Sequence, residues 1–178
     1  MNGGLKTAMA SIALLAVSVS SAQAAGTGTI TFEGEILEAA CSIEPDSVDQ
    51  SIPLGLVASA QLATGGITDP VFFNIQLTGC TFATTGSPPA RTVTATFTGA
   101  ASTDVAGALA ITGTANGAGI MLRTGSGAPI TLGTATAAQS LLDGDNTLLF
   151  SAHMKGTATG TITPGKFNAV TNFALAYQ

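Results

Sequence analysis

Charged side chains are scarce in this sequence. Only 8% of its 178 residues are charged, and five Lys and Arg are outnumbered by ten Asp and Glu. A nucleic-acid-binding protein needs a basic face, which a chain of net charge −5 with so few cations does not supply. The hydrophobic content of 46% excludes a typical disordered chain, because such chains are poor in apolar residues and rich in charge. The composition therefore predicts a folded protein that does not bind nucleic acid.

Residues that build catalytic and metal sites are also few: one His, one Tyr, two Cys and no Trp. A Ser-His-Asp arrangement cannot be inferred from a single His, and no Gly-x-Ser-x-Gly motif occurs. The acidic run at residues 143–146 could suggest calcium, but it lacks the full EF-hand pattern, so we interpret it as a turn. We interpret His153 as exposed, on the more polar face of its strand. The sequence predicts no enzyme activity, no cofactor and no metal site.

Long apolar runs are limited to residues 8–19. Lys6 precedes this run, and the A-x-A pattern Ala22-Gln23-Ala24 follows it, which is the layout of a secretory signal peptide over residues 1–24. The alternative is a transmembrane anchor, but a membrane span needs about 20 apolar residues. We therefore expect residues 25–178 to be exported.

The two cysteines, Cys41 and Cys80, both lie in the exported part. In an oxidising compartment such a pair is most simply one disulfide. The chain-entropy estimate for closing a loop of about 40 residues is ~4 kcal/mol. The alternatives are metal binding or two free thiols, although two thiols with one remote His make a poor zinc site.

Short strands separated by turns are predicted for most of the exported part. Apolar residues alternate with polar ones, mostly Thr, in three stretches, and Gly and Pro mark turns between them. The alternating apolar positions are Phe73, Ile75 and Leu77, then Val93, Ala95 and Phe97, then Leu148, Phe150, Ala152 and Met154. This pattern favours an all-β sandwich, with one helical turn predicted over residues 59–63.

The sequence also predicts an amphipathic strand at each end of the exported part. The residues that share a face are Ile30, Phe32, Gly34 and Ile36 near the start, and Phe173, Leu175 and Tyr177 near the end. One interpretation is that both are edge strands of a closed sandwich and that these side chains belong to its core. The other is that they pair with a second chain, for which an unpaired strand edge is a template.

Several fragments, in this order, resemble the pilin subunits of chaperone–usher fimbriae, most closely type 1 shaft subunits. The fragments are residues 28–36 before Cys41, residues 73–77 leading into Cys80, and residues 119–122, 127–130, 146–152, 159–160, 163–165, 168–169 and 173–178. Each fragment alone is weak evidence for this resemblance. Their order, the cysteine spacing and the penultimate Tyr177 are specific, and the resemblance covers almost all of residues 25–178.

The resemblance implies an incomplete immunoglobulin-like β-sandwich, the pilin fold, that lacks its final strand and is completed by a donor strand. Residues 25–38 would be the donor-strand extension and residues 39–178 the pilin domain. The donor residues would be Ile30, Phe32, Gly34 and Ile36, and the groove strand that meets the chaperone would carry Phe173, Leu175 and Tyr177. The implied partners are other pilin subunits, a periplasmic chaperone and an outer-membrane usher.

The implied function is therefore a structural subunit of a surface fimbria that polymerises by donor-strand exchange and supports cell adhesion. One alternative is a minor adaptor, adhesive or terminating subunit, although a terminator would be expected to lack a usable donor strand. Another is a secreted β-sandwich module that binds a ligand. The sparse aromatic residues, eight Phe and one Tyr with no Trp, argue against sugar binding by such a module.

Overall fold

A computed structural model describes residues 28–34, 39–82 and 91–178. The chain divides between Ile36 and Leu37 into two units. The signal peptide predicted over residues 1–24 lies outside the described residues, as do Ile36 and the ends of the predicted extension. In the first unit, residues 28–34 are exposed and form no regular secondary structure.

The described part of the second unit is built from antiparallel strands with two short helices. The strands are β1 (Ser42–Ile43), β2 (Val71–Cys80), β3 (Thr92–Gly99), β4 (Leu109–Ala110), β5 (Thr112–Gly113), β6 (Ala118–Thr124), β7 (Gln139–Ser140), β8 (Gly144–Gly156), β9 (Phe167–Asn168) and β10 (Thr171–Tyr177). They form a five-stranded sheet in the order β1-β2-β8-β6-β4, a three-stranded sheet in the order β10-β3-β7, and the pair β5-β9.

The core lies between the two larger sheets, as the alternation of apolar residues predicts. Ile75 and Leu77 of β2 and Phe150 of β8 face inward from one sheet, and Val93 and Phe97 of β3 face inward from the other. The Phe97 and Phe150 rings meet edge to face with their centroids 5.0 Å apart, so aromatic packing joins the sheets directly. The predicted all-β sandwich is confirmed.

The two helices are single turns. The predicted turn at residues 59–63 is confirmed as α2 (Ser59–Leu62), followed by a 3-10 turn at Ala63–Gly65. The helix α1 (Pro45–Val48) was not predicted; it has Pro in its first turn, where a fixed φ and a missing N–H are tolerated. Ser47 of α1 is buried, and its hydroxyl accepts the Gln76 N–H at 3.0 Å. This contact holds α1 against β2.

The predicted disulfide is present and joins Cys41, just before β1, to Cys80 at the end of β2. The Thr81 N–H donates to the Ala40 carbonyl oxygen at 3.0 Å beside it. The crosslink and this hydrogen bond fix the start of the second unit to the five-stranded sheet.

The prediction that His153 is exposed is wrong, since only 4% of the residue is accessible. His153 does lie on the face of β8 opposite the core, but β8 is the middle strand of its sheet. Larger side chains stand on both flanking strands: Met121 of β6 pairs with His153, and Phe72 of β2 pairs with Ser151. These neighbouring side chains flank the β8 side chains on the outer face of the sheet. Alternation along a single strand does not reveal which residues lie on the strands beside it.

Candidate functional site

β10 borders the three-stranded sheet, and in the described part of the chain only one of its edges has a strand partner. It pairs antiparallel with β3, in a register that places Phe173 opposite Phe97, Leu175 opposite Ala95 and Tyr177 opposite Val93. The second edge of β10 therefore offers backbone groups for another strand.

The register decides which backbone groups point toward that open edge. At the end of the pair, Gln178 donates its N–H to the Thr92 carbonyl at 2.9 Å, and Thr92 returns the bond at 3.0 Å. Hydrogen-bonded and non-hydrogen-bonded pairs alternate along an antiparallel ladder. Phe173, Leu175 and Tyr177 therefore belong to the pairs whose N–H and C=O groups point away from β3.

The side chains of the same three residues lie on one face, as predicted, and pack half-buried against the core. The Phe173 ring lies 6.4 Å from Phe97, between centroids. Burial raises the pKa of the Tyr177 phenol. The intervening residues of β10, including Ala174 and Ala176, are exposed. One strand therefore presents apolar side chains and unpaired backbone groups at the same three positions.

Burial drops sharply from β3 to β10 across this face. Phe97, Ala95 and Val93 are fully buried, whereas their partners on β10 are only half-buried. β10 lies at the edge of its sheet, so its inward-facing side chains are covered on the β3 side and remain partly accessible on the other. The core is therefore incompletely covered on the β10 side.

A second open apolar segment lies at residues 51–57, between α1 and α2. Among the described residues it makes no backbone hydrogen bond, yet Leu54 and Val57 pack half-buried against the core. Gly55 has a φ of 75°, a conformation that favours glycine, and Leu56 beside it is fully exposed. The sequence analysis missed this segment, whose only signal is the apolar run from Ile52 to Val57 interrupted by Pro and Gly.

Two of the predicted donor residues, Ile30 and Phe32, are largely exposed. Ile30 is 78% and Phe32 is 90% exposed, and neither belongs to a strand. A Cβ added at Gly34 would meet no heavy atom within 4 Å. Ile36 lies outside the described residues. This segment therefore presents two large apolar side chains to solvent.

In the described ranges, no helix is long and apolar enough to cross a membrane. No group of three or more His, Cys, Asp or Glu side chains in those ranges could hold a metal ion.

The chain is similar to fimbrial proteins. The family model for fimbrial protein matches residues 30–178. The Fimbria A protein of Serratia marcescens is 44% identical over 162 residues, covering 90% of each chain. The Major MR/P fimbria protein of Proteus mirabilis is 43% identical over 167 residues, covering 92% of this chain and 93% of that protein.

Solved structures agree with this result. The chain matches a subunit of a chaperone–usher pilus with a TM-score of 0.75 at 29% identity, covering 89% of this chain and all of that one. It matches the P pilus rod subunit PapA with a TM-score of 0.67 at 34% identity, covering 79% and 100%. The predicted immunoglobulin-like pilin fold is thereby confirmed. The chain belongs to the fimbrial protein family and is an all-β structural subunit of a fimbria.

Proposed function

We propose that copies of this subunit polymerise by strand exchange, with residues 25–38 of one copy acting as donor and residues 39–178 of the next as acceptor. The observation that carries the proposal is the uncovered core beside the open edge of β10. The exposed Ile30 and Phe32 supply the complementary apolar side chains. The fibre would stand on the cell surface and support adhesion.

Two kinds of contact would stabilise the junction. The N–H and C=O groups of Phe173, Leu175 and Tyr177 would form hydrogen bonds with a new strand, either antiparallel or parallel to β10. Each of these hydrogen bonds would contribute about 0.5–1.5 kcal/mol net. Ile30, Phe32 and Ile36 would fill apolar space at alternate positions. Full burial of each contributes about 1.5–3 kcal/mol, so three give roughly 5–9 kcal/mol before the donor segment is ordered.

Gly34 would mark the tightest part of the acceptor groove. Glycine within a strand is typical of a site where another backbone approaches closely. In the single chain, by contrast, the space around a Cβ at Gly34 is open. A larger residue at this position is therefore harmless to the free subunit and obstructive only at the junction.

The same open groove explains why a periplasmic chaperone and an outer-membrane usher are proposed as partners. An unpaired edge beside exposed core is prone to uncontrolled pairing with other chains. A chaperone strand placed against β10 would cover Phe173, Leu175 and Tyr177 until a neighbouring subunit replaces it. The usher would then pass the growing fibre through the outer membrane.

The deciding experiment places leucine at Gly34 and, as a control, at Thr31, which lies on the opposite face of the same segment. Both variants are expressed with the co-encoded chaperone, and surface filaments are counted by electron microscopy. Gly34→Leu should abolish filaments but still co-purify with the chaperone, and Thr31→Leu should assemble normally. Normal filaments from Gly34→Leu would refute the assignment of the donor strand.

A further inference from the structure

An open cleft of about 400 Å³ lies on the face of the five-stranded sheet that points away from the core. Its floor carries Ser151 and His153 of β8, and its walls include Phe72 of β2, Arg123 of β6 and Ser126 in the loop that follows. All of these residues belong to the second unit. The cleft therefore contains no residue of the predicted donor segment.

Two polar side chains on the floor have no hydrogen-bond partner among the described residues. Ser151 is 3% and His153 is 4% exposed, and neither side chain forms a hydrogen bond within the described ranges. Every fully buried side-chain nitrogen or oxygen in those ranges does have a partner. The Ser151 hydroxyl and the His153 ring nitrogens must therefore reach the cleft surface, where a ligand can satisfy them.

Arg123 is the one Lys or Arg among the residues that line the cleft. The half-buried Arg123 donates one N–H to the Gly127 carbonyl oxygen at 3.1 Å, which orients its guanidinium group and leaves other donors unused. No Asp or Glu is among the residues that line the cleft. Desolvation, followed by the charges of Arg123 and Lys155, lowers the pKa of His153. A planar guanidinium matches a carboxylate through two parallel hydrogen bonds.

Phe72 adds an apolar wall. Its ring is 61% exposed, although it sits on a central part of the sheet beside Ser151. An exposed aromatic face next to hydroxyl, imidazole and guanidinium donors is suited to a ring that is apolar on one side and polar at its rim. The low aromatic content of the chain argues against sugar binding. Phe72, however, is one of the few aromatic residues, and it lies beside the hydrogen-bond donors that a sugar needs.

We propose that this cleft binds a carboxylate-bearing sugar. The sugar ring lies against Phe72, its carboxylate pairs with Arg123, and its hydroxyls meet Ser151 and His153. The cleft volume falls within the range of small-ligand sites, so one or two sugar residues are the fitting size. An acidic side chain of another protein would use Arg123 but would leave the aromatic wall unused.

The test compares glucuronic acid with glucose, which differ only at C6, where glucose has a hydroxymethyl group in place of the carboxylate. Intact filaments of the full chain, checked by electron microscopy, are titrated with each sugar, and binding is followed by saturation-transfer NMR. Glucuronic acid should bind saturably and at least about tenfold more tightly than glucose, as expected for a charge-assisted hydrogen bond. Arg123→Gln should remove this preference, whereas Lys166→Gln, which deletes a cation outside the cleft, should leave it unchanged.

Equal binding of the two sugars, absence of binding, or an unchanged preference in Arg123→Gln filaments would overturn the proposal. If Arg123→Gln does not assemble, Phe72→Ala replaces it, because the exposed Phe72 ring lies outside the core cluster. Unchanged glucuronic acid binding by Phe72→Ala would overturn the proposal equally. Failure of strand exchange has a different signature, the absence of filaments from the unaltered chain.

Discussion

Phe32→Ala should weaken the fibre without affecting the free subunit. Phe32 is 90% exposed in the single chain, so its removal costs the fold less than about 0.5 kcal/mol. In the proposed junction the ring is buried in the acceptor groove, where a Phe→Ala change costs about 3–5 kcal/mol. Since each 1.4 kcal/mol is a factor of ten, the dissociation constant of a junction should rise by roughly two to four orders of magnitude.

Two measurements separate these effects. Purified filaments are dissociated in guanidinium chloride and followed by light scattering, and the midpoint should fall clearly for Phe32→Ala. The yield of chaperone-bound subunit from the periplasm should stay the same. Phe72→Ala is the matched control, because it removes the same side chain from another exposed position that lies outside the donor segment. An unchanged midpoint for Phe32→Ala, or an equal fall in both variants, would refute the proposed burial of Phe32.

Three further predictions concern the acceptor domain. Replacing Cys41 and Cys80 with Ser should lower subunit stability by ~4 kcal/mol, measured as periplasmic yield and thermal unfolding. Leu175→Asp should prevent chaperone co-purification because it buries a charge at the groove, while Ala174→Asp on the exposed face of β10 should not. His153 has a lowered pKa in the fold, so the unfolded chain binds more protons near its ordinary pKa of 6.5, and stability should fall as pH drops through that value. Thermal unfolding of filaments between pH 7.5 and pH 5 checks this, and His153→Gln should flatten that part of the profile.

Much of the fold follows from alternation along single strands. The inward positions of β2, β3, β8 and β10 could all be predicted because the side-chain period of a strand is two. The same rule places His153 on the outer face but cannot show that Met121, on a strand distant in sequence, stands beside it. Burial on an outer face depends on which strands are neighbours, and that is decided by long-range pairing.

The candidate groove was only partly predictable for a related reason. Alternation identifies Phe173, Leu175 and Tyr177 as one face of a strand, but it does not say which edge of that strand is open. The open edge follows from the sheet order and from the Gln178–Thr92 hydrogen bonds. In residues 51–57 the apolar residues are separated by Pro53 and Gly55, which favour turns rather than strands, so only packing against the core reveals this segment.

The composition of β10 is itself an argument that its edge is kept open for pairing. Proteins commonly protect an exposed strand edge with charged residues, with Pro or with a bulge. Thr171–Tyr177 contains no charged residue and no Pro, and its register with β3 runs without a break. In a protein that functions as a monomer, such a regular unpaired edge would promote unwanted pairing with other chains. Under the proposed strand exchange, the same regularity would permit a continuous ladder with each new neighbour, and the need to guard this edge before assembly would be the physical reason for a dedicated chaperone.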